Sequence, residues 1–332
     1  MHGISLARSL ERHSPEFLRT AYHKYAKWRS WLASANNEFL RFPPGNFYSP
    51  LPDLTALRGH SARIFNSSVD DVQGVQLNEV AQLELVERFA AHYDEMPFPH
   101  RRARDSRYYL DNRWYSYGDG ITLYSMLRVH QPKRIIEVGS GYSSAALLEI
   151  NDRFFDGNIN LTFIEPHPNR LRELLHDEDV HRCTILVKPV QDVPTEVFGA
   201  LRSGDILLID SSHVAKIDSD VLHLFFRILP VLNTGVVVHF HDILWPFEYP
   251  KNWLEKGRAW NEAYMLRAFL QYNREFEIVY FNSFMAVKHA DVLGRMMPLV
   301  LQDPSAPVTP GNSSLWLRKN SLATPQTGVD IE

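Results

Sequence analysis

The chain has 332 residues, of which 45% are hydrophobic and 22% charged; these ordinary globular proportions exclude disordered, collagen-like and low-complexity classes for the chain as a whole. Its 35 Lys and Arg against 39 Asp and Glu leave a net charge of −4, so no broad basic footprint for nucleic acid is expected. A single cysteine, Cys183, excludes an internal disulfide and a cysteine-based zinc site.

The first residues, MHGISLARSLERHSPEF, hold no apolar core of signal-peptide length, and no stretch approaches the ~18 apolar residues of a membrane span. The expectation is a cytoplasmic protein that meets no membrane. Pro15 to Leu40 carries aromatic and basic residues and no Gly, which predicts one long helix, stopped by Pro43-Pro44-Gly45. Asn46 to Pro52 reads as a loop. Asn78 is positioned to cap a second helix reaching Tyr93, with Val80, Leu83, Val86, Phe89, Ala90 and Tyr93 at helical spacing. Pro97 and Pro99 end it.

From Lys133 short β-rich runs alternate with helical ones. The runs are Arg134–Val138, Leu161–Glu165, Thr184–Val187, Asp205–Asp210 and Gly235–His241. Such near-continuous apolar strands are expected where helices cover both faces of a parallel sheet. One intervening helix has its apolar stripe at Val221, Leu224, Phe225, Ile228 and Leu229. The alternation predicts a doubly wound α/β sheet. Beyond it come a helix over Ala263–Tyr272, a sixth strand over Phe276–Phe281, a helix over Ala290–Val300, a Pro-rich linker and a seventh strand over Ser314–Arg318. The last dozen residues read as a frayed tail.

The strongest local signal is RIIEVGSGYSS. Glu137, Gly139, Ser140 and Gly141 stand where the first strand ends, and ligands bind at the carboxyl ends of strands at the switch point of such a sheet. The two glycines let the backbone turn and approach a ligand with no Cβ in the way. Glu165 ends the next strand, where a carboxylate accepts hydrogen bonds from both ribose hydroxyls. A pyrophosphate binder favours a third glycine, but Ser144 stands there. An acid two residues before the first glycine suits a ligand with a cationic end, such as the α-amino group of S-adenosylmethionine.

These residues resemble the class I S-adenosylmethionine-dependent methyltransferases over about Tyr115 to Arg318. The glycine loop with its preceding acid, the acid ending strand two and the seven-strand count carry the resemblance. It implies a Rossmann-like, seven-stranded, mostly parallel sheet flanked by helices, with a helical N-terminal extension. It further implies that Glu137, Gly139, Ser140 and Gly141 surround the methionine, that Glu165 holds the ribose, and that Gln191 and Asp192 meet the adenine. The chain also resembles a loosely characterised bacterial group within this class, through FYSPLPD, NRWYSYGD, IDSSH, HFHDI and SLWLRK.

Strand four ends in Asp210-Ser-Ser-His213 and strand five in His239-Phe-His241-Asp242. In a parallel sheet these tips are neighbours, so Asp210, His213, His241 and Asp242 gather at the edge that carries the glycine loop. Methyl transfer to oxygen needs an acceptor held in line and its proton removed, by an imidazole or by a metal that acidifies the hydroxyl. The constellation offers both. It is similar to metal-dependent O-methyltransferases of the catechol and sugar-modifying types, which implies Asp210 and Asp242 as ligands of Mg²⁺ or another divalent cation and His213 as base, with Asp210 beside it. His241 is a departure, since it occupies the position of an acid; it is taken with them as a third metal ligand. His239 shares its face and reads as internal packing.

Tyr115, Tyr117 and Asp119 precede the first helix of the sheet. Either they line the cofactor pocket, Tyr117 foremost, or Asp119 caps that helix and the tyrosines cover its end. The aromatic stretch Trp245–Trp253, with Trp260-Asn261-Glu262 after it, reads as a substrate lid or as packing.

The reading is a helical extension over residues 1–114, a methyltransferase domain over 115–320 and a tail over 321–332. The expected reaction is O-methylation of a small molecule or sugar with S-adenosylmethionine as cofactor; a homo-oligomer is compatible with it. Alternatives are a non-catalytic S-adenosylmethionine-binding partner subunit and a nicotinamide-dependent oxidoreductase, the latter disfavoured by the absent third glycine.

Overall fold

The computed structural model describes residues 42–104, 106–305 and 310–321. The helix expected over Pro15–Leu40 and nearly all of the tail lie outside them. Contacts divide the chain into Met1–Ser61 and Ala62–Glu332. In the first unit Asp53 caps a short helix, Leu54–Gly59, its carboxylate accepting from the Thr55 and Ala56 N–H groups at 2.8 and 3.2 Å.

The second unit is built on seven strands: β1 (Arg134–Val138), β2 (Asn160–Ile164), β3 (Cys183–Leu186), β4 (Ile206–Ile209), β5 (Val237–Phe240), β6 (Phe276–Phe281) and β7 (Leu315–Lys319). Their order is β3-β2-β1-β4-β5-β7-β6. β1 pairs in parallel with β2 and β4, and β4 with β5; β7 runs antiparallel between β5 and β6. The order reverses between β1 and β4, and there the loops leaving the strands part and open a crevice. Every residue of β4 and β5 is buried, which is why these strands read as unbroken apolar runs. Each sequence-predicted strand is present within two residues of its expected ends.

The main helices are α1 (Glu79–Tyr93), α2 (Tyr117–His130), α3 (Tyr142–Phe154) and α4 (Glu262–Leu270). The helical stretch from Asp220 to Val231 buries the predicted Val221, Leu224, Phe225, Ile228 and Leu229, with a wide π turn over Leu224–Ile228. The helix from Ala290 stops at Met296, before Pro298 opens a separate turn to Leu301. Among the described residues no helix is long and apolar enough to cross a membrane.

α1 ends at Tyr93 and packs Leu83, Val86, Phe89, Ala90 and Tyr93 against the core as predicted, but differs at its cap and at Val80. Asn78 has φ 52° and makes no side-chain cap; its Nδ2 donates to the Ile278 carbonyl. The buried face is Gln82, Leu85, Val86 and Phe89, while Val80 is 71% exposed. The reason lies in edge strand β6. Gln82 accepts the Phe281 N–H at 2.8 Å and donates to the Leu77 carbonyl, so a polar residue takes an inward position that hydrophobic spacing assigns to its neighbours.

Candidate active site

The backbone ladder runs one residue past each central strand. Gly139 donates its N–H to Ile164 O, Glu165 to Leu186 O, Asp210 to Val138 O and His241 to Ile209 O. These four residues therefore stand side by side along the carboxyl edge of the sheet. A cleft of about 380 Å³ lies over that edge, lined by Gly139–Ser143, Glu165, Asp210–His213, His241 and Asp242. It continues past Gly139 and Asp210 into a second hollow of about 390 Å³ that reaches Gln191.

The glycine loop is shaped by contact. Gly139 has φ +81°, and a Cβ on it would lie 2.0 Å from the Asp210 carbonyl oxygen, so no other residue fits. Glu137 is 1% exposed and turns into the start of α3, where the Ser143 hydroxyl donates to Oε1 at 2.5 Å and the Ser144 hydroxyl to Oε2. Burial drives its carboxyl up to about 8, against the lowering effect of those two hydroxyls. Ser144, which replaces the third glycine, also accepts the Gly141 N–H at 3.0 Å. Thus Glu137 braces the loop from behind, while the Gly139, Ser140 and Gly141 backbone lines the cleft.

Glu165 lines both hollows, and its carboxylate accepts from the Ser140 and His167 N–H groups at 3.2 and 2.7 Å. Gln191 lines the second hollow, its Nε2 donating to Asp218 O at 2.8 Å. Asp192 is exposed and lies outside both. Tyr117 is not a lining residue either; its ring sits 6.0 Å from that of His100. Tyr115 lines the cleft instead, its ring 5.0 Å from that of His241.

On the other side the predicted cluster is assembled. His213 Nε2 lies 3.5 Å from Asp210 Oδ1 and 3.5 Å from Asp242 Oδ2. His241 Nδ1 lies 3.6 Å from Asp210 Oδ1 and 3.7 Å from Asp242 Oδ1. His213, His241 and Asp242 are buried, whereas the Asp210 side chain is 43% exposed to the cleft. His213 and Asp242 have left-handed backbones, φ 60° and 57°, and such strained conformations in non-glycine residues concentrate at functional sites.

The charges balance within the cluster. Burial opposes the imidazolium of His213, but hydrogen bonds with Asp210 and Glu262 and the nearby Asp242 raise it to about 10. His241 is also buried, and Asp242 and Asp210 hold it well above the usual histidine range. Burial alone would raise Asp210; His241 and His213 outweigh that and hold it well below the usual carboxylate range. Asp242 moves up, because burial outweighs the two imidazoles there.

Sequence reasoning gave Glu262 and Asp119 no part in holding the two imidazoles. Glu262, the first residue of α4, is 1% exposed; Oε2 lies 2.9 Å from His213 Nδ1, and the carboxylate accepts from the Ser211 hydroxyl. Its only sequence signal was an acid at a helix start after the aromatic stretch. Asp119 is fully buried in the first turn of α2 and caps nothing in that helix. It accepts instead from Ser313 and Ser314, N–H and hydroxyl of each, and from Asn282 Nδ2. The Ser313 hydroxyl, committed as donor to Asp119, accepts from His241 Nε2 at 3.1 Å. That puts a proton on Nε2 of His241 and aims Nδ1 at Asp210 and Asp242. Nδ1 of His241 and Oδ1 of Asp242 are buried with no hydrogen-bond partner among the described residues. A ring nitrogen held this way is what a metal-ligating histidine requires.

Among the described residues no group of three or more His, Cys, Asp and Glu side chains is drawn in to metal-holding distances. Donors around a hard octahedral cation with bonds of ~2.1 Å stand about 3 Å apart. The 3.6 and 3.7 Å separations are wider than that, so the donors suit a hard cation by type but do not stand at coordinating distances.

His239 packs inside, as its place in the sequence suggested. It bonds the Ser314 hydroxyl at 2.9 Å, lies against Trp316, and is held well below the usual histidine range by burial. Of the aromatic stretch, Trp245, Phe247, Tyr249 and Trp253 are buried. Trp260 reaches the cleft, its ring 4.3 Å from that of His213, and Arg258 lies against Trp253 and Trp260.

A family model described as a methyltransferase domain matches residues 136–243, from β1 through the glycine loop to the residue after Asp242. An uncharacterized protein of Archaeoglobus fulgidus is 31% identical over 170 residues, half of this chain and 76% of its own length. The segment over residues 136–243 is a methyltransferase domain. Solved structures similar to this methyltransferase include the S-adenosylhomocysteine-bound Podospora anserina methyltransferase PaMTH1 (14% identity, TM-score 0.40, covering 82% of this chain and 98% of that one). Another is the Streptomyces achromogenes O-methyltransferase TomG of tomaymycin synthesis, in complex with S-adenosylmethionine (13%, 0.39, 80% and 96%). The matched segment of the methyltransferase takes in both acids of the glycine-loop side and the whole Asp210–His213–His241–Asp242 cluster; Tyr115, Asp119, Arg258 and Glu262 are added from outside it.

Proposed function

We propose that this methyltransferase methylates a hydroxyl oxygen of a small molecule or sugar, with His213 taking the proton. The observation that carries the reading is His213 Nε2 on the cleft floor, within 3.5 Å of Asp210 and Asp242, beside the glycine loop. On this reading the backbone of Gly139, Ser140 and Gly141 receives the methionine end, Glu165 the ribose and Gln191 the adenine. Glu137 braces the loop from behind through Ser143 and Ser144, while Asp192 and Tyr117 lie outside both hollows. Residues 115–320 are the catalytic part and 1–114 an extension that precedes it in the chain; Trp114 and Tyr115, at the boundary in sequence, line the cleft.

The cofactor, when bound, supplies a methyl group already activated on a sulfonium. The chain then has to orient the acceptor in line, exclude water and receive a proton. Trp260 and Tyr115 form apolar walls for the acceptor beside His213. With the cleft empty, three carboxylates keep His213 protonated at neutral pH. Positive charge entering the cleft disfavours that proton and frees Nε2 to accept one from the acceptor hydroxyl. Asp210, Asp242 and Nδ1 of His241 would hold a divalent cation of the Mg²⁺ or Mn²⁺ type, which when bound supplies Lewis acidity to the acceptor oxygen.

Calorimetry with S-adenosylmethionine, S-adenosylhomocysteine and NAD tests the cofactor; binding of NAD alone would overturn the reading. His213→Ala is expected to keep cofactor affinity and lose turnover, and normal turnover would acquit the residue. A rate that depends on Mg²⁺ or Mn²⁺ and disappears in Asp242→Ala is expected; full activity in EDTA would remove the cation.

A further inference from the structure

The cofactor carries an α-carboxylate at its methionine end, and a buried or half-buried carboxylate needs a cation or a set of hydrogen-bond donors, of which a cation gives the stronger contact. The acids of the cleft, Glu165, Asp210 and Asp242, cannot serve. His213 and His241 are committed to Asp210, Asp242, Glu262 and Asp119. Arg258 lies on the acceptor side, against the same Trp260 that covers His213. The glycine-loop side has Arg170.

Arg170 follows β2 on a short helix, Asn169–Leu174, and lines the cleft. Its stem lies over the glycine loop: a Cβ on Gly141 would be 3.2 Å from Arg170 Cδ and 3.9 Å from Cγ. Gly141 has φ 168°, which any residue adopts, so what a side chain would meet there is the arginine and not backbone strain. The guanidinium lies 4.1 Å from the centre of the Trp114 ring, which also lines the cleft. A cation stacked on an aromatic face keeps its plane oriented and its N–H edges available. Among the described residues no carboxylate lies within ion-pair distance of Arg170. Tyr142 and Ser143, the first residues of α3, line the same corner, so the positive end of a 13-residue helix adds to the field.

We propose that Arg170, stacked on Trp114, binds the α-carboxylate of the methionine end of the cofactor. It is a cofactor-positioning residue: clamping the carboxylate beside Gly141 fixes one end of the cofactor and leaves the reacting end to be set against His213. The proposal rests on the S-adenosylmethionine reading of the glycine loop, and it extends the cofactor site to two residues that the loop motif does not contain.

The test is a thermodynamic cycle by calorimetry on the full chain, using S-adenosylhomocysteine and S-adenosyl-3-thiopropylamine, the same molecule without its carboxylate. The wild type is expected to bind the carboxylate-bearing ligand about tenfold more tightly, the scale of one partly exposed charge-assisted contact. Arg170→Met keeps the stem and its packing on Gly141 and Trp114. It should weaken S-adenosylhomocysteine by about tenfold, leave the thiopropylamine unchanged and so abolish the difference. Arg170→Lys should retain part of it, and Gly141→Ala should reduce it by displacing the stem. A tenfold preference that survives in Arg170→Met overturns the proposal, as does equal weakening of both ligands or a wild type that does not distinguish them. A wild type that binds neither ligand overturns the cofactor reading itself, and is told apart by that.

Discussion

Removing the Asp119 carboxylate should cost a large part of the stability of the catalytic unit. Asp119 is 0% exposed, and so are Ser313 and Ser314, whose N–H and hydroxyl groups it accepts at 2.7 to 3.0 Å, together with Asn282 Nδ2. In Asp119→Ala the two serine N–H groups lose their acceptor in a place water does not reach. Each such group costs about 1–3 kcal/mol. The hydroxyls can rotate, so they add less. The sum is about 3–5 kcal/mol, out of a total of about 5–15 kcal/mol for a typical domain. Urea unfolding followed by tryptophan fluorescence measures it. With a slope of about 3 kcal/mol per molar urea, the midpoint should fall by about 1 M or more. Ser313→Ala and Ser314→Ala, which keep the backbone donors paired, should each cost roughly 1 kcal/mol. A midpoint shift in Asp119→Ala no larger than in these single serine variants would refute the reasoning. The same change would also loosen His241, since the Ser313 hydroxyl that Asp119 orients is what holds His241 Nε2.

Other outcomes follow from the same geometry. Gly139→Ala places a Cβ 2.0 Å from Asp210 O at φ +81°, and should cost about 2–4 kcal/mol in denaturant unfolding and abolish measurable cofactor binding. Glu137, at about 8 when folded, keeps its proton where the unfolded chain has released it, above about 4.5. Stability should therefore fall as pH rises through the interval from about 4.5 to 8, by up to about 1.4 kcal/mol per pH unit. Glu137→Gln should remove that slope, and unfolding midpoints at pH 5 and pH 8 that move alike in both proteins would count against it. Glu262→Gln weakens the hold on His213 Nδ1 and should lower turnover on the order of 10- to 100-fold, with cofactor affinity within about twofold of wild type by calorimetry.

The sheet was legible because its signals are local. Five apolar runs of near-equal length, each followed by a turn and a helical stretch, fit little but parallel strands buried on both faces. The gathering of Asp210, His213, His241 and Asp242 was legible for the same reason: tips of adjacent parallel strands must be neighbours. The face of α1 was legible at Val86 and Phe89, with Leu83, Ala90 and Tyr93 packed beside them, but not at Val80, which is exposed, nor at Gln82, which turns inward to satisfy an edge-strand N–H that a hydrophobic pattern cannot register. The hold on the Glu137 carboxylate by Ser143 and Ser144, in the first turn of α3, was not legible, because the pattern marks the acid and not what its oxygens meet.

By itself the sequence determined the strands, the class of fold and the residue types at each strand tip, since these depend on periodicity and on chain connectivity. Only the tertiary structure decided which groups stand behind them. Asp119 meets His241 through Ser313, some 190 residues away in the chain, because β7 enters the sheet antiparallel beside β5 and brings the two serines just before it down onto the start of α2. Glu262 meets His213 because α4 begins against the loop after β4. Such pairings are set by how elements pack, and a hydrogen bond between residues this far apart leaves no period or spacing in the sequence to reveal it.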